Sequence, residues 1–588
     1  MPSSASAAAF TLNFKRNLAR AAALVAALAL TGCQTYTSKT QERDESVRSG
    51  NFAAAVAKAD KDAANNADNK DTVLYRLEQG AILRSAALAN LPAAATPGSP
   101  PAAAGSLTGQ TQTNQALNAA APEQISPRIA YLTRSVAAFD EAARRIARYE
   151  EEAKVKVGSE FGALLTNQAN LPYRGRAYDK VMLHTYQALN YLQLADDDAA
   201  RVELNRALQT QRDAVEANAK RIQEAQKLAE EAKSGEVKDE QGRQGSSYDV
   251  DRAKRDPKTS AALASIESKL DAAILPYGDY VNPFTTFLDA LVFTHQAADA
   301  SDMERARKSW ERVVNFAPNN PYAQADYRAV EPDLQAAAPI VEPVADRFPP
   351  TPTPAADTAA PAETVAAAVT ADTVVAPAAG VTPPAPPASN GLTYVIFETG
   401  AAPYRDQIRI DLPLFVVTGR ISYVGMALPE LSRVSGHSPS LTVAAEGGQT
   451  FPVALVASMD SVVAKDFKNE WPTILTKTII ATATKATIDA VLQKQMQDQA
   501  GATGALLFSA FTAITQAAVN IADTRTWRSL PKEFHYARVA TPSDGLLTLT
   551  AGAQTRTVSL EPAAVQVVYV KSTSAAAPLL VGQFVLKK

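Results

Sequence analysis

One thiol, Cys33, and four imidazoles, His184, His295, His437 and His535, bound the nucleophilic and metal chemistry open to this chain of 588 residues. A single cysteine excludes an intrachain disulfide and a Cys-based zinc site. The histidines are too far apart in sequence to form a short ligand motif. The sequence has no phosphate loop, dinucleotide fingerprint, Gly-x-Ser-x-Gly elbow or His-Glu-x-x-His helix, so no catalytic, cofactor or metal residue is assigned. Ser435-Gly436-His437-Ser438 sets serines beside a histidine, but a dyad needs partners that meet in space, and the loop reads as structural. Glu398 and Arg405 flank a tight turn at Gly400 and Pro403. A surface ion pair is the expectation there, with a ligand contact as the alternative. Asp523, Arg525 and Trp527 form a compact charged and aromatic group. They are read either as a buried ion pair with Trp527 as a core wedge, or as a recognition site, since Trp and Arg are common interface anchors.

The surroundings of Cys33 define its chemistry. Residues 1–20 end in Lys15, Arg16 and Arg20 and contain no acid; Ala21–Leu30 is apolar and too short to span a ~30 Å hydrocarbon core. Leu30-Thr31-Gly32-Cys33 resembles the lipobox of bacterial lipoproteins. Small residues before the cut admit a protease, the thiol takes a diacylglyceryl thioether, and the new amine takes a third acyl chain such as palmitate. One chain holds a protein marginally, whereas two or more hold it firmly. The expectation is a signal peptide over 1–32, lipidation at Cys33 and a place in the cell envelope. Gln34 in place of Asp resembles the default sorting to the outer membrane, facing the periplasm. Loss of 1–32 takes the formal charge from −3 to about −6, which argues against a nucleic-acid partner.

Gly501–Ala522 carries no charge and is long enough to cross a bilayer. Its Thr, Ser, Gln and Asn content favours a helix buried within a domain. A membrane-active or secretion segment is the alternative.

The elements that must position these groups read as α+β, with more than one domain at this length. Residues 33–49 read as a polar tether. Residues 50–331 read as α-helical, starting at Gly50-Asn51-Phe52, with a flexible Pro-rich insertion over 91–127 and a charged loop over 234–258. Helices are expected over 129–156, 177–194, 199–233, 259–275, 283–298 and 302–316. Residues 332–391, dense in Pro, Ala and Thr, read as a disordered linker that lends the two halves freedom. Residues 392–588 read as a β-rich domain of ten strands interrupted by helical segments at 458–470 and 472–521.

Two helix pairs share one pattern. Ala188, Tyr191, Ala200, Leu204 and Ala207 in the first, and Ala306, Trp310, Val313 and Pro318 in the second, occupy the packing positions of a tetratricopeptide unit. Asp196–Asp198 and Ala300–Asp302 are expected to supply the turns. Further stretches extend the likeness: Leu171-Pro172-Tyr173-Arg174-Gly175, Val395 to Pro403, Ala427 to Leu431, and Asp523 to Pro531. Together they resemble a family of bacterial cell-envelope lipoproteins with tetratricopeptide-like helical repeats and a β-rich C-terminal domain. The resemblance implies a cell-envelope process, in company with activators of penicillin-binding proteins, and it assigns no activity. The expected function is a membrane-anchored scaffold or accessory factor for a periplasmic or outer-membrane protein. A cell-wall-directed enzyme without a recognisable motif is the first alternative, and a membrane-active component using 501–522 is the second.

Overall fold

The computed structural model describes residues 36–92, 126–155, 169, 171–237, 247–271, 275, 277–278, 280–331, 391–413, 423–519 and 522–588. Cys33, the signal segment and most of both Pro-rich stretches lie outside the described residues. The fold is α+β, helical before residue 331 and β-rich after 391.

The first helix, α1 (Tyr36–Arg48), replaces the expected tether. Its sequence is polar, and what buries it is charge pairing. Arg43 is fully buried and meets Glu78 (3.1 Å) and Asp44 (3.2 Å). Tyr36, two turns earlier on the same face, packs on Tyr75. A hairpin of α2 (Phe52–Asn65) and α3 (Thr72–Leu88) follows, and Asn51 caps α2 by accepting the Ala54 N–H. Against α3 lies α4 (Pro127–Val155). Gly80 allows this approach, since a Cβ there would stand 2.6 Å from the Phe139 ring.

Next come α5 (Ala177–Gln193) and the long α6 (Asp197–Ser234), then α7 (Val250–Lys254) and α8 (Pro257–Asp271) inside and beside the expected loop. A second hairpin pairs α9 (Pro283–His295) with α10 (Ala300–Phe316). The small and large residues singled out at the crossings, Ala188, Ala200, Leu204, Ala207, Ala306, Trp310 and Val313, are buried, while Tyr191 is half-buried. Ala300–Asp302 is not the turn but the first turn of α10, because Asp299 caps that helix by accepting the Asp302 N–H. A further helix, α11 (Pro321–Val330), starts behind the Asn320 cap.

The strands are β1 (Leu392–Thr399), β2 (Tyr404–Pro413), β3 (Tyr423–Ser432), β4 (Thr442–Ala444), β5 (Thr450–Pro452), β6 (Ala454–Ser458), β7 (Glu533–Ala540), β8 (Leu546–Ala551), β9 (Gln554–Ser559), β10 (Val565–Ser572) and β11 (Leu580–Lys587). They form a five-stranded sheet ordered β11-β10-β1-β7-β6, a β2-β3 ribbon and a four-stranded sheet ordered β5-β4-β8-β9. β1 pairs parallel with β10 and antiparallel with β7. Both central strands are buried on two faces, which fits their nearly continuous apolar sequence. One helix, α12 (Met459–Val519), joins β6 towards β7 where two segments were expected. It runs through Pro472 at the loss of one backbone hydrogen bond. Trp471, Ile474, Leu475, Ile479 and Ile480 on its buried face hold it there.

Of three cores among the described residues, the smallest is built within α2, α3 and α4, and the other two each draw on residues from both sides of 332–390. The larger packs α3, α5, α9, α10 and α11 on the five-stranded sheet, with Phe284 stacked on Phe534 at 3.6 Å between ring centres. The smaller joins the end of α6, α7 and α8 to the β2-β3 ribbon and α12. The expectation of freely moving halves therefore fails: sheet and helices are each other's covering layer.

Candidate functional site

The chemistry-bearing residues divide into a buried seam and an open groove. The seam begins at the expected recognition group. Arg525 donates from Nε and Nη2 to the two oxygens of Asp523 (2.8 and 3.1 Å), and from Nη1 to Asp71 (2.9 Å) and the Leu171 carbonyl (2.7 Å). Trp527 is 1 % exposed and sits between Phe139 and Tyr186, each 5.9 Å away between ring centres. This corrects the recognition reading of Asp523, Arg525 and Trp527. The group grips the chain's own helices, with Arg525 and Trp527 buried and Asp523 half-buried. Burial alone would raise the Asp523 carboxyl, yet the Arg525 guanidinium holds it far below the usual range.

Beside it, one carboxylate serves three guanidiniums. Glu470 accepts from Arg405 (2.7 Å), Arg176 (3.0 Å) and Arg221 (3.2 Å). Its burial works against ionisation, but the three arginines pull its pKa down to about 2. One helical turn earlier, Asp466 is buried and, among the described residues, neither of its oxygens has a hydrogen-bond partner. Burial, and next the charge of Glu470, push its pKa up to about 8. The two carboxyls thus share a site and diverge.

Glu398 and Arg405 do not form the expected surface pair. Glu398 points into the helix–sheet core and accepts from Lys571 (2.6 Å), Tyr186 (2.8 Å) and Tyr569. Burial would raise it, but Lys571 and Arg84 hold it below the ordinary value. Arg405 is buried with Glu470 and lies over the Phe467 ring. In the Ser435–Ser438 loop, the Ser438 carbonyl accepts from Thr399 (2.7 Å), a structural contact. His184 meets Glu203 (2.6 Å), His295 meets Tyr394 (3.1 Å) and His535 meets Glu533 (3.1 Å). Burial lowers His295 to about 4. The uncharged segment 501–522 continues α12 as far as Val519, and its side chains up to residue 521 lie outside the described residues. Among the described residues, no helix is long and apolar enough to cross a membrane, and no group of three or more His, Cys, Asp or Glu is placed to hold a metal ion.

The groove lies between the outer faces of α6 and α10 and encloses about 980 Å³. Helical spacing builds each wall. Asn205, Leu208, Gln209 and Arg212 recur along one face of α6, and Ser301, Arg305, Lys308, Arg312 and Asn315 along one face of α10. The opposite faces are the buried ones. Arg305 locks the walls together. It chelates the fully buried Asp289 of α9 from Nε (3.1 Å) and Nη2, donates from Nη1 to Asn205 of α6, and stacks on Phe293 at 3.7 Å. Arg201 adds a second tie to Asp302 (2.6 Å). The lining is basic: Arg206, Arg212, Arg305, Lys308 and Arg312 face Asp289, Glu304 and Glu311. Its residues went unassigned from sequence because each wall alone is an ordinary solvated helix face. Only the hairpin packing, one wall about a hundred residues from the other, makes a groove. No protein-family model matches the chain, and neither a curated protein nor a solved structure matches it.

Proposed function

We propose that this protein is a lipid-anchored scaffold of the bacterial cell envelope. Cys33 holds it on a membrane, with the outer membrane facing the periplasm as the favoured site, and the groove between α6 and α10 receives a periplasmic or outer-membrane protein. The observation that carries this reading is the groove itself. It is concave, spans two helical hairpins, and is braced by Arg305 and Arg201, so its walls are set before a partner arrives. The buried carboxyls Asp466, Glu470 and Glu398, whose pKa values are displaced, lie in the seam or the core, where they hold segments together.

The test is site-specific photocrosslinking in intact cells, with the reactive group at Gln209, at Asn315 or, as a remote control, at Arg148 on α4. The expected result is an adduct of one size from both groove positions and none from the control, lost when Cys33→Ala releases the protein from the membrane. Absence of a groove adduct, together with hydrolysis of cell-wall polymer by the purified protein, overturns the scaffold in favour of an enzyme.

A further inference from the structure

We propose that the occupant of the groove is an acidic polypeptide segment, whose carboxylates pair with Arg212 on the α6 wall and Arg312 on the α10 wall. This rests on the scaffold reading and specifies its partner.

The argument is charge complementarity at named positions. The chain as a whole is slightly acidic, yet this lining has five cations against three acids. The acids are already engaged. Asp289 lies beneath Arg305 and Ser309, Glu304 is shared by Arg307 and Lys308, and Glu311 stands 3.7 Å from Arg307. Arg206 is likewise occupied, by Glu203. Among the described residues, neither Arg212 nor Arg312 has a carboxylate partner, and Arg212 donates only to the neutral Gln209 (2.7 and 3.2 Å). Both are exposed and line the same groove. A guanidinium fork matches a carboxylate in two parallel bonds, so the two arginines offer paired acid receptors on facing walls.

Three features favour polypeptide over other polyanions. Asn315 and Ser301 stand among the cations and offer both donors and acceptors, as a peptide backbone requires, while the Gln209 amide is engaged by Arg212 and Asp213. No aromatic side chain is among the described lining residues, so bases of a single-stranded nucleic acid would find no stacking platform. Leu208 is the single aliphatic residue of that lining, which leaves little for an acyl chain. The volume is at the upper end of the ~300–1,000 Å³ typical of ligand pockets, enough for several residues of extended chain.

The experiment titrates detergent-solubilised full-length protein with a fluorescent polyglutamate peptide, a neutral Gly-Ser peptide, phosphatidylglycerol vesicles and a single-stranded oligothymidylate. The expected result is saturable binding of polyglutamate alone, weakened at least about tenfold by the paired change R212E/R312E and by raising salt from about 50 to about 300 mM. R148E on α4 should leave it unchanged, and circular dichroism should show the same fold in all variants. Equal polyglutamate affinity in R212E/R312E overturns the proposal. So does Arg212- and Arg312-dependent binding of vesicles or oligothymidylate without polyglutamate. Persistence of the Gln209 and Asn315 crosslinks without polyglutamate binding overturns the acidic partner and leaves the scaffold standing. Loss of those crosslinks with polyglutamate binding intact removes the scaffold instead.

Discussion

The seam and the groove are both built from arginine, and they differ in what the arginine meets. In the seam, Arg405 and Arg525 are buried and Arg176 is half-buried, and each pairs with a carboxylate from a distant part of the chain, Glu470 or Asp71. In the groove, Arg212 and Arg312 are exposed and lack carboxylates among the described residues. A buried charge must be matched within the fold because no water solvates it. An exposed one is free to be matched by something else. The same side chain thus serves assembly in one place and, on our proposal, recognition in the other.

Breaking the seam is expected to have the largest effect. Glu470→Ala takes the carboxylate from the buried guanidinium of Arg405, leaves Arg176 with Asp523 at 3.6 Å, and frees the more exposed Arg221. It is expected to cost about 3–5 kcal/mol in denaturant unfolding. A loss below about 1 kcal/mol would mean that water reaches the seam. Trp527→Ala empties the space between Phe139 and Tyr186 and is expected to cost a similar ~3–5 kcal/mol. Loss of partner binding with unchanged stability would instead return Trp527 to the role of a recognition residue. Against these, R212E/R312E is expected to shift stability by less than about 0.5 kcal/mol.

The subtler test is pH. The folded pKa of Asp466 is pushed up to about 8, whereas an unfolded Asp titrates near ~3.9. Between those values the folded protein holds a proton that the unfolded chain has released, so this group's contribution to stability declines as pH rises from about 4 to about 8. Asp466→Asn cannot titrate. Denaturant midpoints compared at about pH 5.5 and pH 8.5 should fall more in the parent than in the variant; parallel curves would contradict the assignment. Asp326, raised to about 6 by burial, declines in the same sense over a lower window and is common to both proteins.

The contrast also explains what the sequence could disclose. Apolar periodicity located most strands and helices to within a few residues, because burial leaves a period of 2 or 3.6 in the side chains; it counted ten strands where eleven form among the described residues, reading β5 and β6 as one, and it ended β3 six residues early. It missed α1, whose buried face is made by Tyr36 and the polar Thr40, Arg43 and Asp44 rather than by an apolar stripe, and it split α12 at Pro472. The Asn320-Pro321 start of α11 is a capping signal legible in the sequence. Within the site, Asp523, Arg525 and Trp527 stood out as a group, but only the fold shows that Asp71 and Phe139 meet them. No local pattern pairs residues several hundred positions apart. The groove was invisible for a related reason. Asn205 and Arg305 touch only once the α5–α6 and α9–α10 hairpins are packed.

Hydrogen exchange of the full-length protein, with and without the polyglutamate peptide, separates the two regions most directly. The account predicts new protection in α6 around 205–212 and in α10 around 301–315, with exchange across 522–531 unchanged. Protection across 522–531 with none in α6 and α10 would contradict it, placing recognition in the seam and leaving the groove an ordinary solvated surface.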